Sequence, residues 1–153
     1  MQEGIFPKNL TSPIGLCSDH AGYELKEYII GILKAEGVTY NDFGTYSEAS
    51  CDYPDFAHQL GAAIDNGECE LGIAICGTGN GINMTLNKHQ KVRSALCWKE
   101  DIALFAKSHN NANVITLPGR IVTHEEARRI LKVFFQTEFE GGRHQKRIDK
   151  IPL

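Results

Sequence analysis

The feature that most constrains this chain is Leu71-Gly-Ile-Ala-Ile-Cys76 running straight into Gly77-Thr-Gly-Asn-Gly81. A continuous apolar run has no wet face, so it reads as a central parallel strand covered by helices on both sides. The glycines that follow mark a sharp turn into a helix. The rest of the chain repeats the unit. Ile14–Ser18, 38–43, 92–98 and 113–117 read as further strands. Helical spacing covers 22–36, 54–65, 101–107 and 123–136, and a short helix starts around Gly81. Gly37 ends the first helix, Pro54 opens the second, and Thr123 with Glu126 forms a capping box on the last. Strand–helix alternation predicts an α/β protein: a three-layer α/β/α sandwich around a five-stranded parallel, Rossmann-like sheet.

At 153 residues with neither repeat nor linker, one domain over 1–153 is expected. Residues 1–12 form an N-terminal extension and 137–153 a basic helix or tail. The 16 Lys and Arg against 19 Asp and Glu argue against nucleic-acid binding. No apolar run approaches membrane-spanning length. Met1 to Ser12 lacks the charged-then-apolar pattern of a secretion signal, which predicts a cytoplasmic protein. The five cysteines include no C-x-x-C pair, which excludes a zinc knuckle and a disulfide framework.

Ligands of parallel sheets bind at the carboxyl ends of the strands. After the first strand, Asp19 and His20 either hold a hydroxyl or phosphate, or are a helix cap beside a surface histidine. After the third, Gly77, Thr78, Gly79, Asn80 and Gly81 either build a nest of backbone N–H groups for an anion or make a tight structural turn. The spacing G-x-G-x-G lacks the third glycine of a dinucleotide fingerprint, since Ile82 stands there. Cys76 precedes the nest. Beside a helix N-terminus its thiol is suited to act as base or nucleophile; otherwise it is core. His109 precedes the fifth strand as a general acid–base or a helix-ending histidine. Arg143 and Arg147, four apart, share one helix face and suit a phosphate, or form a solvated basic end.

These pieces occur in a fixed order: Ser18-Asp-His-Ala-Gly22, Asp52-Tyr53-Pro54, Cys76–Gly81, Asn87-Lys88, His109-Asn110 and Glu140-Gly-Gly-Arg-His-Gln145. The ordered set, from Ile14 to Arg147, resembles the type B ribose-5-phosphate isomerase family, which includes allose and galactose phosphate isomerases. The resemblance implies an aldose–ketose isomerase without metal or cofactor. It implies Cys76 as the base that moves a proton between carbons 2 and 1, assisted by Thr78. It implies the Gly77–Gly81 amides as holders of the enediolate oxygen, and His109 as the group that opens the furanose ring. Asp19 and Tyr53 then contact the sugar end, Asn110 the enediolate or hydroxyls, and His20, Arg120, Arg143 and Arg147 the phosphate. Some relatives carry a glutamate base after the loop; Ile82 here points to the cysteine branch. The resemblance further implies a self-sufficient homodimer, or a pair of dimers, with shared sites. Asn110, Arg143 and Arg147 are then placed to reach a neighbour's substrate. Ribose 5-phosphate is the expected substrate. The alternatives are allose 6-phosphate, a non-catalytic sugar-phosphate module and a flavodoxin-like nucleotide domain.

Overall fold

The computed structural model describes residues 4–153. Its elements are β1 (Ile14–Ser18), α1 (Tyr23–Glu36), β2 (Tyr40–Asp42), α2 (Tyr53–Asp65), β3 (Gly72–Cys76), α3 (Asn80–Leu86), β4 (Ser94–Leu96), α4 (Glu100–Ser108), β5 (Val114–Pro118), α5 (His124–Gln136) and α6 (Arg143–Ile148). All strand pairs are parallel and the order is β2-β1-β3-β5-β4. The expected five-stranded sheet is present.

The three inner strands are buried along their whole length, as their unbroken apolar runs require. The edge strands are shorter than their apolar runs suggest. Val38 belongs to the turn that ends α1, its N–H donating to Leu33 O at 2.9 Å, and Val92 turns back onto His89 O at 3.1 Å. Those residues have their backbone bonds elsewhere and leave the ladder.

Strand side chains alternate between faces. Leu16, Ile73, Ile75, Ile115 and Leu117 point to one layer and meet Leu25, Ile29 and Leu33 of α1, Ala103 of α4, and Ile130 and Phe134 of α5. Cys17, Ala74 and Cys76 point to the other, against Ala57, Leu60, Ile82 and Leu86 of α2 and α3. The second face is built of small residues so that α2 can lie close. A Cβ on Gly72 would come 3.0 Å from Leu60 Cδ1. The expected caps form. Gly37 adopts φ 70°, and Thr123 Oγ1 accepts from Glu126 N at 3.1 Å while Glu126 Oε2 accepts from Thr123 N.

Of the extension expected over 1–12, residues 1–3 lie outside the described residues. Ile5 and Phe6 are buried in the first core layer, and Phe6 meets Phe135 edge-on at 4.9 Å. The Glu36 carboxylate accepts from Ile5 N and Phe6 N at 2.9–3.1 Å. Near the other end of α1, the fully buried Lys26 pairs with Asp42 at 2.8 Å, and Asp42 Oδ1 accepts from Gly44 N. That pair fixes the chain leaving β2.

The connection from β1 leaves toward β2 over one face, and that from β3 leaves toward β4 over the other. Between the carboxyl ends of β1 and β3 the two paths diverge and open a crevice.

Candidate active site

The loop after β1 enters this crevice first. Asp19 is buried, with its N–H donating to Ile75 O at 3.2 Å and Oδ1 accepting from Gly22 N at 3.1 Å. One oxygen therefore closes the turn before α1. Oδ2 has no hydrogen-bond partner among the described residues and is available to a ligand. His20 Nδ1 accepts from the backbone N–H of Cys51 at 3.2 Å. That bond places the proton of a neutral ring on Nε2, so His20 offers a donor on its other side.

The loop after β3 lies beside it. Gly119 N donates to Cys76 O at 2.8 Å and Arg120 N to Gly77 O at 2.9 Å, which zips the turns after β3 and β5 together. The Arg120 side chain then crosses Gly77, where a Cβ would sit 3.2 Å from Nη1. Gly79 adopts φ 80° and caps α3, a conformation that favours glycine. Thr78 is exposed and its Oγ1 accepts from Asn80 N at 3.3 Å. Tyr53, the first residue of α2, packs its ring on Gly81, where a Cβ would meet the hydroxyl at 2.7 Å. Cys76 is buried at the end of β3. The crevice thus brings together Asp19, His20, Tyr53, Cys76, the Gly77–Gly81 loop and Arg120.

His109, Asn110, Arg143 and Arg147 are not part of that group. In a parallel sheet, a helix that starts at the carboxyl end of one strand finishes at the amino end of the next. His109 is the C-cap of α4 and lies where β5 begins. There Gly72 N, at the start of β3, donates to Asn113 O at 2.9 Å. Cys76 is four residues further along β3, roughly 13 Å at 3.3 Å per residue. Asn111, with φ 45°, turns the chain after α4, and Arg93 donates to its carbonyl from Nε and Nη2. The tail returns to this end. Gly141 and Gly142 take φ 69° and 56°, and Glu140 N donates to Ser108 O at 3.0 Å, so α6 docks beside His109. Arg143 and Arg147 stand exposed on α6.

Two side chains in this second group carry no role in the sequence reading. The His144 ring stacks on His109 with 4.3 Å between centroids and 14° between planes. Glu140 Oε2 lies 3.5 Å from His109 Nε2, and Oε1 lies 4.0 Å from His144 Nε2. In the sequence both stand in the Glu140–Gln145 motif, at i, i+4 spacing, without a role of their own. Cys51, whose Sγ is 4.0 Å from His20 Nδ1, likewise had none. His109, Glu140 and His144 have ligand-type atoms within 4.8 Å of one another. Rings so nearly parallel aim their lone pairs side by side rather than at one point, and Arg143 and Arg147 on the same short helix oppose a cation.

No helix among the described residues is long and apolar enough to cross a membrane. The ribose/galactose isomerase family model matches residues 14–151. A probable ribose-5-phosphate isomerase B of Mycoplasma genitalium is 45% identical over 140 residues, covering 90% of this chain and 92% of that protein. Ribose-5-phosphate isomerase B of Escherichia coli is 39% identical over 133 residues, covering 87% and 89%. The crystal structure of a ribose 5-phosphate isomerase from Thermotoga maritima superposes with TM-score 0.90 at 45% identity, over 94% of this chain and 99% of that one. The Mycoplasma genitalium enzyme with bound ribulose-5-phosphate gives 0.88 at 43%, over 94% and 95%. Fold, ordered motifs and matches agree, and this chain belongs to the ribose/galactose isomerase family.

Proposed function

We propose that this protein interconverts ribose 5-phosphate and ribulose 5-phosphate as a homodimer whose two sites are each built from both protomers. The carrying observation is the division of the candidate residues between opposite ends of one sheet. A crevice with a thiol, a glycine loop and an arginine has a proton acceptor and an anion site. It lacks the ring-opening group and two of the arginines. A second copy supplies them. Met84 on α3, Trp98 after β4, and Leu104 and Phe105 on α4 stay 39–66% exposed around the β4 edge, and the Phe105 ring lies 4.9 Å from that of His109. An apolar surface adjoining the second group suits cover by another protomer. Relatives named for ribose 5-phosphate, one of them with ribulose-5-phosphate bound, support the substrate. The free cysteines suit a reducing, cytoplasmic setting.

In this reading the phosphate is held by His20 and Arg120 of one protomer and by Arg143 and Arg147 of the partner subunit. Its binding energy positions the reacting carbons without entering the chemistry. His109 of the partner subunit takes the proton of the anomeric hydroxyl, and the ring oxygen receives one as its bond to carbon 1 breaks. The Cys76 thiolate removes the proton on carbon 2. The electron pair moves to form the enediolate, whose oxygen is held by the Gly77–Gly81 N–H groups and Asn110 of the partner subunit. One such donor is typically worth roughly 3–4 kcal/mol of barrier. Thr78 passes a proton between the two oxygens, and the Cys76 thiol returns its proton to carbon 1. Asp19 and Tyr53 hold the sugar hydroxyls.

The test is turnover of ribose 5-phosphate by purified protein, with allose 6-phosphate as the comparison. Efficient turnover of the five-carbon sugar, abolished in Cys76→Ala with the fold intact, is expected. Full turnover by Cys76→Ala removes the base; preference for the six-carbon sugar reassigns the substrate.

A further inference from the structure

His109 is held from behind by its own chain. The flat face of His144 covers one face of the ring at 4.3 Å, and the Glu140 carboxylate stands 3.5 Å from Nε2. Neither residue has a part in the steps above. Both are carried to His109 by a specific route. The Glu140 backbone bonds Ser108 O, the left-handed glycines 141 and 142 reverse the chain, and α6 delivers His144 one turn later. His144 is buried although Arg143 and Gln145 on either side of it are exposed.

We propose that Glu140 and His144 are positioning residues that fix the tautomer and the ring plane of His109. The proposal rests on the reading of His109 as the ring-opening group. A carboxylate 3.5 Å from a ring nitrogen favours the proton there over a lone pair, so Glu140 biases the ring toward the Nε2–H form. Nδ1 then keeps its lone pair. It has no hydrogen-bond partner among the described residues, which leaves it to the sugar. When Nδ1 takes the anomeric proton the ring becomes a cation, and the same carboxylate stabilises it. The stack removes the remaining freedom: Glu140 limits rotation within the plane and His144 fixes the plane. A stacking partner beside a ring that becomes charged must itself stay neutral. Burial, the adjoining His109 and Arg143 all push the His144 pKa down, with only Glu140 acting the other way.

The test combines steady-state kinetics with imidazole ¹⁵N NMR of the dimeric protein. The variants are Glu140→Gln, Glu140→Asp, His144→Phe, His144→Ala and His109→Asn. His109→Asn is expected to lose about 100-fold or more in kcat, the contribution of a general acid–base. Glu140→Gln is expected to lose about 10-fold to 100-fold in kcat with KM within about twofold, as a misaimed group does. Its His109 resonances should leave the Nε2–H pattern. Glu140→Asp should recover part of the loss. His144→Phe, which keeps a flat ring, should retain more activity than His144→Ala. Glu140→Gln with unchanged kcat overturns the proposal, and so does a loss of kcat with His109 still in the Nε2–H form. His144→Ala at full activity overturns the part assigned to that ring. His109→Asn at full turnover overturns the reading of His109 itself, and the positioning role with it.

Discussion

Gly22 lies against the carbonyl oxygen of Ile75, with no room for a side chain between the start of α1 and the end of β3: a Cβ would stand 2.6 Å from that oxygen and 2.8 Å from its carbon. The close approach lets Asp19 N reach Ile75 O and sets Asp19 and His20 beside Cys76. Both sides of the contact are backbone, so neither yields cheaply. Gly22→Ala should lower stability by roughly 1–3 kcal/mol, the usual cost of overpacking. It should also lower kcat, because the β1 loop moves relative to the thiol. Urea denaturation and steady-state kinetics check both; a variant with wild-type stability and rate would mean that α1 shifts freely.

The separation of Cys76 from His109 along the sheet makes a sharp prediction for mixed dimers. Cys76→Ala and His109→Asn should each be inactive alone. In a dimer of one of each, one site combines two mutated residues and the other combines Cys76 and His109 intact. Random reassortment puts half the molecules in mixed dimers, so activity should return to about one quarter of the wild type. Denaturing and refolding the two together, then assaying, reads this directly. No recovery would place both residues of each site on one chain.

What the sequence made legible was local. The apolar run of β3, the helix-ending glycine at 37 and the Thr123–Glu126 box are settled within a few residues, and all formed as read. Strand order was not legible, because β5 inserts between β3 and β4 through contacts distant in sequence. The family motifs named His109 and Cys76 without saying that they lie at opposite ends of the strands; the parallel sheet and the ends of α4 and β3 show it. The motif likewise carried Glu140 and His144 without showing what they touch. Their contact with His109 requires α6 to dock on the end of α4, across more than thirty intervening residues. Ile5 and Phe6 were too short a pair to show any periodicity, so their burial carried no signal.

That pair gives the third prediction. Ile5 and Phe6 occupy the core layer of α1 and α5, and their N–H groups end on Glu36. Deleting residues 1–6 removes two buried apolar side chains and leaves a carboxylate without donors. Burial of such side chains is worth roughly 1.5–3 kcal/mol each, so a loss of about 3–6 kcal/mol is expected. Glu36→Gln, which weakens the acceptor and keeps the packing, should cost about 1 kcal/mol. Ile5 and Phe6 lie away from the β1–β3 crevice, so KM should not change in either variant at temperatures where they stay folded. A thermal melt beside a KM measurement tests it; a raised KM with an unchanged melt would make the extension part of the site.

Lys107 supplies a pH dependence with a definite sign. Burial, reinforced by Arg93, lowers its pKa from 10.5 to about 8. Its ammonium bonds Ala112 O at 3.2 Å and stands 4.7 Å over the Phe134 ring. Below about pH 8 the lysine is charged in both states, and its buried charge costs folding free energy throughout that range. Between about 8 and 10.5 the folded protein has released the proton while the unfolded chain still holds it. The unfolded state binds more protons there, so this group makes stability rise with pH. Buried thiols act in the opposite direction. Burial pushes Cys97 up to about 12 and raises Cys17 further, so above about pH 9 the folded state holds protons that the unfolded chain loses. The two effects overlap in the wild type, and Lys107→Met separates them by leaving both cysteines in place. The variant should exceed the wild type in denaturation midpoint at about pH 7, with a margin that narrows steadily toward about pH 9.5. A margin that stays constant with pH would mean that Lys107 keeps its proton in the folded protein.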